Sequence, residues 1–316
     1  MAQLQQGQVI QSTGSWYHVR LDTDERVVKC RIKGKFRLQQ LNTTNPVAVG
    51  DYVQCQPEEK NDTWLIVELL PRRNYIIRNS PHSRRQRHII AANIDRLLII
   101  VTFSQPRTST GFIDRLLVNA EMYQIPTTLV FNKQDLYTED DTAMYDIAKA
   151  VYSDNGYGIC LVSATTGYGT ETLQNLLKEG ISLVSGHSGV GKSSLINKLC
   201  PEKTAIPTAE ISEYSGKGQH TTTVATMHPL PSGGAIIDTP GIKEFALGDL
   251  QSDEIGHFFP EIRALLPQCK FNDCTHRNEP QCAVRQAVAE HYIAEWRYHN
   301  YLNLLQDIES QNYWEL

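Results

Sequence analysis

A glycine-rich motif that follows an apolar strand constrains this chain more than any other feature of the sequence. Residues 186–193 fit the pattern G-x-x-x-x-G-K-S, with an apolar run at 181–184 before them and a helical run at 194–199 after them. That context predicts a P-loop, in which backbone N–H groups and the start of a helix surround nucleotide phosphates. Lys192 is expected to reach the β- and γ-phosphates, and Ser193 to bind Mg²⁺. The nucleotide-binding candidates in this loop are Gly186, His187, Ser188, Gly189, Val190, Gly191, Lys192, Ser193 and Ser194, and Lys192 is also a catalytic candidate.

A second phosphate motif, Asp-Thr-Pro-Gly, follows the apolar run at 235–237. Asp238 is expected to hold the hydration shell of Mg²⁺, and Gly241 to let the backbone approach the γ-phosphate. The same four residues are also ordinary turn chemistry. The P-loop earlier in the chain favours the nucleotide-binding interpretation.

The sequence after the apolar run at 128–131 predicts guanine as the base. The Asp135 carboxylate can accept hydrogen bonds from guanine N1–H and from the 2-amino group, a pair of donors that adenine lacks. A Ser-Ala pair after the run at 159–162 fits the loop whose backbone N–H contacts guanine O6, although this pair alone carries little information. The base-binding candidates are Asn132, Lys133, Asp135, Ser163 and Ala164.

The order of these motifs differs from that of common GTPases, which begin with the P-loop. Here the base motif comes first, the P-loop follows, and Asp238 comes last. Such a circular permutation is compatible with an α/β domain because the termini of domains often lie close together at the surface. It also places the γ-phosphate motif directly before a cysteine-rich segment, which hydrolysis could therefore move.

A polar, Gly-rich stretch at 214–223 lies between the two phosphate motifs and is expected to form a loop that nucleotide orders. One of Thr221, Thr222 and Thr223 should ligate Mg²⁺ through its hydroxyl. The sequence does not choose among the three, and Thr222 stands for them as the magnesium-binding candidate beside Ser193.

His220 is the candidate for the hydrolytic step. Many GTPases place a glutamine that orients water after the glycine of the second motif, but here Ile242 follows Gly241. An apolar side chain cannot orient water, so another group is needed. A neutral imidazole can orient or deprotonate water near pH 7. The alternative is a solvent-exposed histidine without a catalytic role.

Four residues near the C-terminus have the spacing of a metal site. Cys269, Cys274, His276 and Cys282 offer three thiolates and one imidazole within fourteen positions. This set suits one tetrahedral, structural Zn²⁺, and it leaves no open position for catalysis. Free thiols beside an unrelated histidine are the alternative.

The N-terminal segment predicts a small β-barrel. Five short runs with alternating polarity, at 8–10, 16–21, 27–32, 51–55 and 64–67, suit a five-stranded barrel of the oligonucleotide-binding (OB) type. Residues 1–88 hold 14 Lys+Arg and 8 Asp+Glu, whereas 89–248 hold 11 and 16, and 249–316 hold 5 and 11. The basic excess favours RNA binding by the barrel, although a solvated basic face explains the charge equally well. Docking of the barrel on a protein is nearly as well supported.

These features predict a multidomain chain. Residues 1–72 form an OB-type RNA-binding barrel, 73–88 a basic linker, 89–248 a circularly permuted α/β P-loop GTPase domain, and 249–316 a helical zinc-binding domain. In the third region, apolar runs at 97–101, 128–131, 159–162, 181–184 and 235–237 alternate with amphipathic segments, as in a doubly wound sheet. In the last region, residues 287–308 are expected to form an amphipathic helix that packs on the zinc site.

The sequence also predicts a cytoplasmic monomer with no membrane partner. No apolar run approaches the roughly 18 residues that span a bilayer. The first ten residues are rich in Gln and do not combine a charged segment with an apolar one.

The combination of motifs resembles the bacterial ribosome small subunit-dependent GTPase A family, and the resemblance covers essentially the whole chain. The segments that carry it are 132–135, 186–194, 218–223, 238–245, 269–276, 282–284 and 297–302. Two positions depart from the expected pattern: Gln281 stands before Cys282, and Glu290-His291 follow Ala289, where glycine is expected in each neighbourhood.

The resemblance implies a late-acting maturation factor of the small ribosomal subunit. In that family the subunit stimulates hydrolysis of GTP to GDP, and hydrolysis drives release from the subunit. The implied partners are the small ribosomal subunit and its rRNA, with GTP and GDP. The resemblance also implies that His220 is the hydrolytic residue. The alternative function is a nucleotide-tuned RNA-binding module in which turnover is secondary.

Overall fold

The computed structural model describes residues 4–32, 46–59, 61–80, 83–200, 225–238, 247 and 250–313. His220, the threonines at 221–223, Gly241 and Ile242 lie outside these ranges. Among the described residues, no helix combines the length and the apolar character that a membrane crossing requires.

The N-terminal segment folds as the predicted five-stranded barrel. Antiparallel pairing joins β1 to β2, β2 to β3, β5 to β4 and β4 back to β1, and one parallel pairing joins β3 to β5. Side chains alternate between core and solvent, so that Tyr17, Val19 and Leu21 of β2 are buried. The strands are β1 Gln5–Ser12, β2 Tyr17–Leu21, β3 Val27–Ile32, β4 Tyr52–Pro57 and β5 Trp64–Leu69.

A hairpin follows the barrel where a basic linker was predicted. Its strands are β6 Tyr75–Ser80 and β7 Ser83–Ala92, which pair antiparallel. Arg72, just before the hairpin, makes a two-pronged ion pair with the buried Asp51 of the barrel, with Nε–Oδ1 and Nη2–Oδ2 distances of 2.7 and 2.6 Å. A basic composition is compatible with this fold because apolar residues such as Ile77 and Ile89 are buried. The domain boundaries predicted at residues 72, 88 and 248 stay predictions.

The central region has the predicted doubly wound sheet. Five parallel strands follow the order β10-β9-β8-β11-β13, and β12 adds an antiparallel strand beside β13. In β8, Leu97 and Ile99 face one side of the sheet and Leu98 and Ile100 the other, because successive residues of a strand point to opposite faces. The strands are β8 Arg96–Val101, β9 Thr127–Phe131, β10 Gly158–Leu161, β11 Ile181–Ser185, β12 Ala225–Pro229 and β13 Ala235–Asp238.

Helices cover both faces of this sheet. Leu116 and Tyr152 pack on one face, and Leu173 and Leu195 on the other. These side chains belong to α1 Thr110–Met122, α2 Glu139–Asp154, α3 Thr170–Leu176 and α4 Lys192–Leu199. The sequence signals the start of α2 most clearly, because Thr138 and Asp141 form a capping box.

Strand β12, which the sequence analysis did not predict, joins the sheet to the barrel. Gln11 of β1 pairs with Thr226 of β12, and Thr226 pairs with Asp238 of β13. The barrel and the α/β region therefore share one continuous sheet of eleven strands.

The C-terminal region is helical, as predicted. Its helices are α5 Pro260–Arg263, α6 Ala283–Ala289 and α7 Glu295–Tyr313. Phe259, Val284, Tyr301 and Leu305 form its core. The last helix is amphipathic but begins at Glu295, eight residues after the predicted start at 287, because α6 ends at Ala289 and a turn follows.

Candidate functional site

The P-loop lies between β11 and α4, and its glycines have conformations that other residues rarely adopt. Gly189 and Gly191 have φ values of 83° and 93°. A Cβ atom on Gly191 would lie 2.4 Å from Asn132 Nδ2. Glycine is therefore required where the loop passes closest to the base motif.

Lys192, the first residue of α4, folds back over the P-loop. Its Nζ donates to the carbonyl oxygens of Gly186 and His187 at 2.7 and 2.6 Å. Burial lowers the pKa of Lys192, and the neighbouring Asp238 acts in the opposite direction. The ammonium group thus stands where a phosphate held by the loop would meet it.

Asn132 joins the base motif to the other loops of the site. Its buried side chain donates from Nδ2 to the Val190 oxygen at 2.9 Å, and its Oδ1 accepts from the Ala164 N–H at 3.2 Å. One amide therefore holds the P-loop and the Ser-Ala loop together.

Asp135 and Ser163 form the part of the site predicted to contact the base. Ser163 Oγ donates to Asp135 Oδ1 and accepts from the Thr166 N–H at 3.0 Å. Ser163 is buried, whereas Asp135 is exposed and keeps a carboxylate oxygen available to donors from solvent. Lys133 adopts a left-handed φ of 64° and donates from Nζ to the Gln105 oxygen.

The structure brings these predicted residues to one edge of the sheet. Each belongs to the carboxyl end of a parallel strand, to the loop after it or to the first turn of the helix that follows, where α/β sheets bind ligands. The predicted residues assembled here are Asn132, Lys133, Asp135, Ser163, Ala164, Gly186, His187, Ser188, Gly189, Val190, Gly191, Lys192, Ser193, Ser194 and Asp238. His220, Thr222 and Gly241 lie outside the described residues.

A cleft of about 1170 Å³ opens in front of the P-loop. Its lining includes residues that the sequence analysis did not single out. They come from the segment after β8 and from α7, and no local motif marks either one. These residues are Pro106, Arg107, Ser109, Gly111, Phe112, Arg115, Asn300, Asn303, Leu304 and Asp307.

The four predicted metal ligands come together in the C-terminal region. The ligand atoms of Cys269, Cys274, His276 and Cys282 all lie within 4.8 Å of one another. His276 Nδ1 faces Cys269 Sγ at 3.6 Å and Cys282 Sγ at 3.3 Å. Burial raises the pKa of Cys274 to about 12, and it also raises the pKa of Cys282. Three sulfurs and one imidazole are donors that fit a closed tetrahedral metal site.

Hydrogen bonds from other side chains stabilise the segment that carries the four ligands, residues 269–282, which we call the metal knot. Tyr298 and Tyr301 of α7 donate to the carbonyl oxygens of His276 and Thr275, at 2.6 and 2.9 Å. Burial opposes ionisation of Glu279, yet hydrogen bonds from Thr275 and backbone N–H groups lower its pKa to about 2. The carboxylate is thereby fixed inside the loop between the ligands.

The two departures from the resemblance fall at left-handed positions. Gln281 has a φ of 58° and His291 a φ of 62°. Glycine adopts this conformation without steric cost, whereas other residues adopt it only with some strain. The backbone therefore keeps the turn that glycine would favour, and the four ligands converge.

Comparisons with known proteins identify relatives over nearly the full chain. Family models described as RsgA GTPase and RsgA N-terminal domain match residues 69–248 and 6–65. The chain is 50% identical over 307 residues to the small ribosomal subunit biogenesis GTPase RsgA of Bacteroides fragilis strain YCH46, covering 97% of this chain and 98% of that protein. It is 46% identical over 305 residues to the protein of the same name from Flavobacterium psychrophilum, covering 95% and 92%.

Two solved structures also resemble this chain over nearly its full length. YjeQ from Thermotoga maritima superposes with a TM-score of 0.77 at 35% identity, covering 97% of this chain and 99% of that one. YloQ, described as a circularly permuted GTPase, superposes with a TM-score of 0.72 at 28% identity, covering 98% and 96%. The predicted permuted fold is confirmed.

We expect the purified protein to carry one tightly bound metal ion per chain. Cys282→Ala should abolish this binding, because three donors hold a metal much more weakly than four. Cys160→Ala removes a buried thiol outside the cluster and should leave the metal content unchanged. Elemental analysis of the purified variants measures both. Equal metal content in wild type and Cys282→Ala would contradict the assigned ligands.

Proposed function

Because the chain belongs to the RsgA GTPase family, we propose that it hydrolyses GTP to GDP and phosphate and acts in late maturation of the small ribosomal subunit. The subunit stimulates hydrolysis, and hydrolysis releases the protein from the subunit. One observation carries this proposal: Asn132 joins the base motif to the P-loop, and the P-loop lines a cleft together with Lys192 and Asp238. The alternative, in which turnover is secondary to RNA binding, lacks the support that family membership gives to the GTPase.

We assign guanine recognition to Asp135. Its carboxylate accepts from N1–H and the 2-amino group, and Ser163 holds it in place from the side. The Ala164 N–H, which donates to Asn132 Oδ1 in this structure, is the group that would meet guanine O6. Adenine offers no matching pair of donors, so its binding would leave the carboxylate unpaired.

We assign phosphate binding to the P-loop. The N–H groups of Gly189 and Gly191 and the start of α4 surround the β-phosphate, and the Lys192 ammonium moves from the loop carbonyls to the β- and γ-phosphate oxygens. Ser193 is exposed at the first turn of α4, and Asp238, the last residue of β13, lines the same cleft. These two residues would hold Mg²⁺, which neutralises charge on the β- and γ-phosphates.

The hydrolytic step is assigned to His220. It orients or deprotonates the attacking water, since Ile242 has no polar atom for that role. Thr222, representing the three consecutive threonines, is the second hydroxyl ligand of Mg²⁺. Gly241 contacts the γ-phosphate through its backbone. These three assignments rest on the sequence motifs and the family.

The metal knot is proposed to hold a single structural Zn²⁺. The ligand set of Cys269, Cys274, His276 and Cys282 is the soft set that zinc prefers. It fills all four positions, so this metal takes no part in hydrolysis.

The barrel is proposed to contact ribosomal RNA through the outer face of β2 and β3. His18 and Arg20 point outward from β2, and Lys29 and Arg31 from β3. The Lys29 Nζ lies 4.7 Å from the centre of the Trp16 ring. Cations beside a partly exposed aromatic ring suit a phosphate backbone with stacked bases.

We also propose that the protein acts as a cytoplasmic monomer.

Small ribosomal subunits should increase the rate of GTP hydrolysis by the wild-type chain at least about 10-fold, because a bound partner can complete the catalytic site of a GTPase. Release of phosphate from GTP is measured with and without purified subunits. The same rates with large subunits serve as the control. An unchanged rate with small subunits would contradict the proposed function.

Asp135→Asn should weaken GTP binding by about 100-fold and improve binding of xanthosine triphosphate, because the amide matches the carbonyl at position 2 of xanthine. Asp140→Asn, an exposed change on α2, is the control. Competition against a fluorescent nucleotide gives both affinities. An unchanged preference for guanine would refute the role of Asp135.

His220→Ala should slow subunit-stimulated hydrolysis by about 100-fold or more while leaving GTP affinity within a factor of two, since it removes only a group that acts on water. His299→Ala, an exposed change on α7, is the matched control. Equal losses of affinity and of turnover would show that His220 serves binding and not catalysis.

Lys29→Gln should weaken binding to small subunits and reduce the slope of log affinity against log salt concentration by about one, as expected for one lost phosphate contact. Lys178→Gln, an exposed change on the α/β region, is the control. Co-sedimentation at several salt concentrations measures the slope. An unchanged slope would place the RNA contact elsewhere.

A further inference from the structure

The second residue of the P-loop is held by a stacked aromatic contact. The His187 imidazole lies on the Phe112 ring of α1, with ring centres 3.7 Å apart and an angle of 27° between the planes. Phe112 is buried, with 9% of its surface exposed. The carbonyl of the same His187 accepts from Lys192. The position of Phe112 therefore bears directly on the backbone that surrounds the β-phosphate.

Helix α1 is in turn anchored to the C-terminal helix. Asp114, two residues after Phe112 on α1, is completely buried between α1 and α7. Its carboxylate accepts from Arg297 Nη1 at 2.6 Å, from Asn300 Nδ2 at 2.6 Å and from Tyr152 OH at 3.0 Å. Two of these three donors belong to α7.

The orientation of α7 is fixed by the remaining donors of Arg297. Its Nε and Nη2 donate to Glu261 of α5 at 2.6 and 2.9 Å, and its guanidinium lies 4.7 Å from the centre of the Phe259 ring. Only 1% of Arg297 is exposed. A buried charge that is fully paired in this way allows one arrangement of the helix, because any shift would leave a charge unpaired.

The same helix also forms a wall of the nucleotide cleft. Asn300, Asn303 and Asp307 lie on one face of α7, at spacings of three and four residues, and line the cleft opposite the P-loop. Asp307 pairs with Arg115 of α1. The C-terminal region is thus part of the nucleotide site, although its sequence carries no nucleotide motif.

We propose that Phe112 and Asn300 are positioning residues for the P-loop, through which α7 of the metal-binding region sets the geometry that receives the β-phosphate. Asn300 of α7 donates a hydrogen bond to Asp114 of α1. Phe112, also on α1, stacks on His187 of the P-loop. This inference rests on the proposed nucleotide function and adds a specific consequence. Affinity for nucleotides that carry a β-phosphate depends on α7, whereas affinity for the nucleoside and α-phosphate does not.

The test compares GMP, GDP and GTP binding to full-length variants, by competition against a fluorescent guanine nucleotide. Phe112→Leu and Asn300→Ala should each weaken GDP and GTP by about fivefold to tenfold and leave GMP within twofold, since GMP has no β-phosphate. Phe112→Tyr keeps the ring and should bind all three nucleotides like wild type. Gln306→Ala, an exposed amide on the same helix, is the control for Asn300→Ala.

Thermal unfolding and metal content, measured on the same samples, identify variants that have lost the fold. Equal weakening of GMP and GDP would indicate general damage and overturn the inference, as would GDP affinities within twofold of wild type. An effect of Phe112→Leu without one of Asn300→Ala would overturn the role of α7. Failure of the wild-type chain to bind GDP would contradict the proposed function itself. A loss of binding in the variants alone would leave the proposed function in place.

Discussion

The site depends on one property of parallel β-sheets, which is that the carboxyl ends of their strands meet at a single edge. Four strands of this sheet end in a functional residue or loop. Asn132 follows β9, Ser163 follows β10, Gly186 follows β11, and Asp238 ends β13. Their order along the chain is irrelevant to this convergence, because each strand needs only its neighbours in the sheet. A permuted sequence can therefore build a common GTPase site.

The permutation changes what the site is connected to. Strand β12 pairs with β13, which carries Asp238, and also with β1 of the barrel. On the other side, Leu247 and Leu250 pack into the core of the C-terminal region soon after Asp238. The strand with the magnesium-binding candidate is thus attached to both flanking regions. In the proposed function, a change at the γ-phosphate therefore has a short structural route to the barrel and to the metal knot.

The sequence predicted the parts that carry local patterns. Apolar runs predicted the five parallel strands, alternation predicted the barrel, and ligand spacing predicted the cysteine–histidine cluster. Strand β12 was not predicted because its five residues, Ala225–Pro229, have little apolar character, and only pairing with β1 and β13 makes them a strand. The hairpin at 75–92 escaped because its basic residues mask the buried isoleucines.

Contacts between distant residues were not predictable at all. Asp114 and Arg297 are 183 positions apart, and each alone resembles an ordinary charged residue on a helix. Phe112 has the same apolar pattern as the rest of the buried face of α1, so its stacking on His187 leaves no signal in the sequence. The second wall of the cleft emerged only from the packing of α7 on α1.

In the proposed function, the nucleotide bound at this edge controls attachment to the small ribosomal subunit. Equilibrium binding of the full chain to purified small subunits, measured with a non-hydrolysable GTP analogue and with GDP, tests it most directly. We expect at least about tenfold tighter binding with the analogue, a typical size for coupling between two sites. Equal affinities in the two nucleotide states would contradict it.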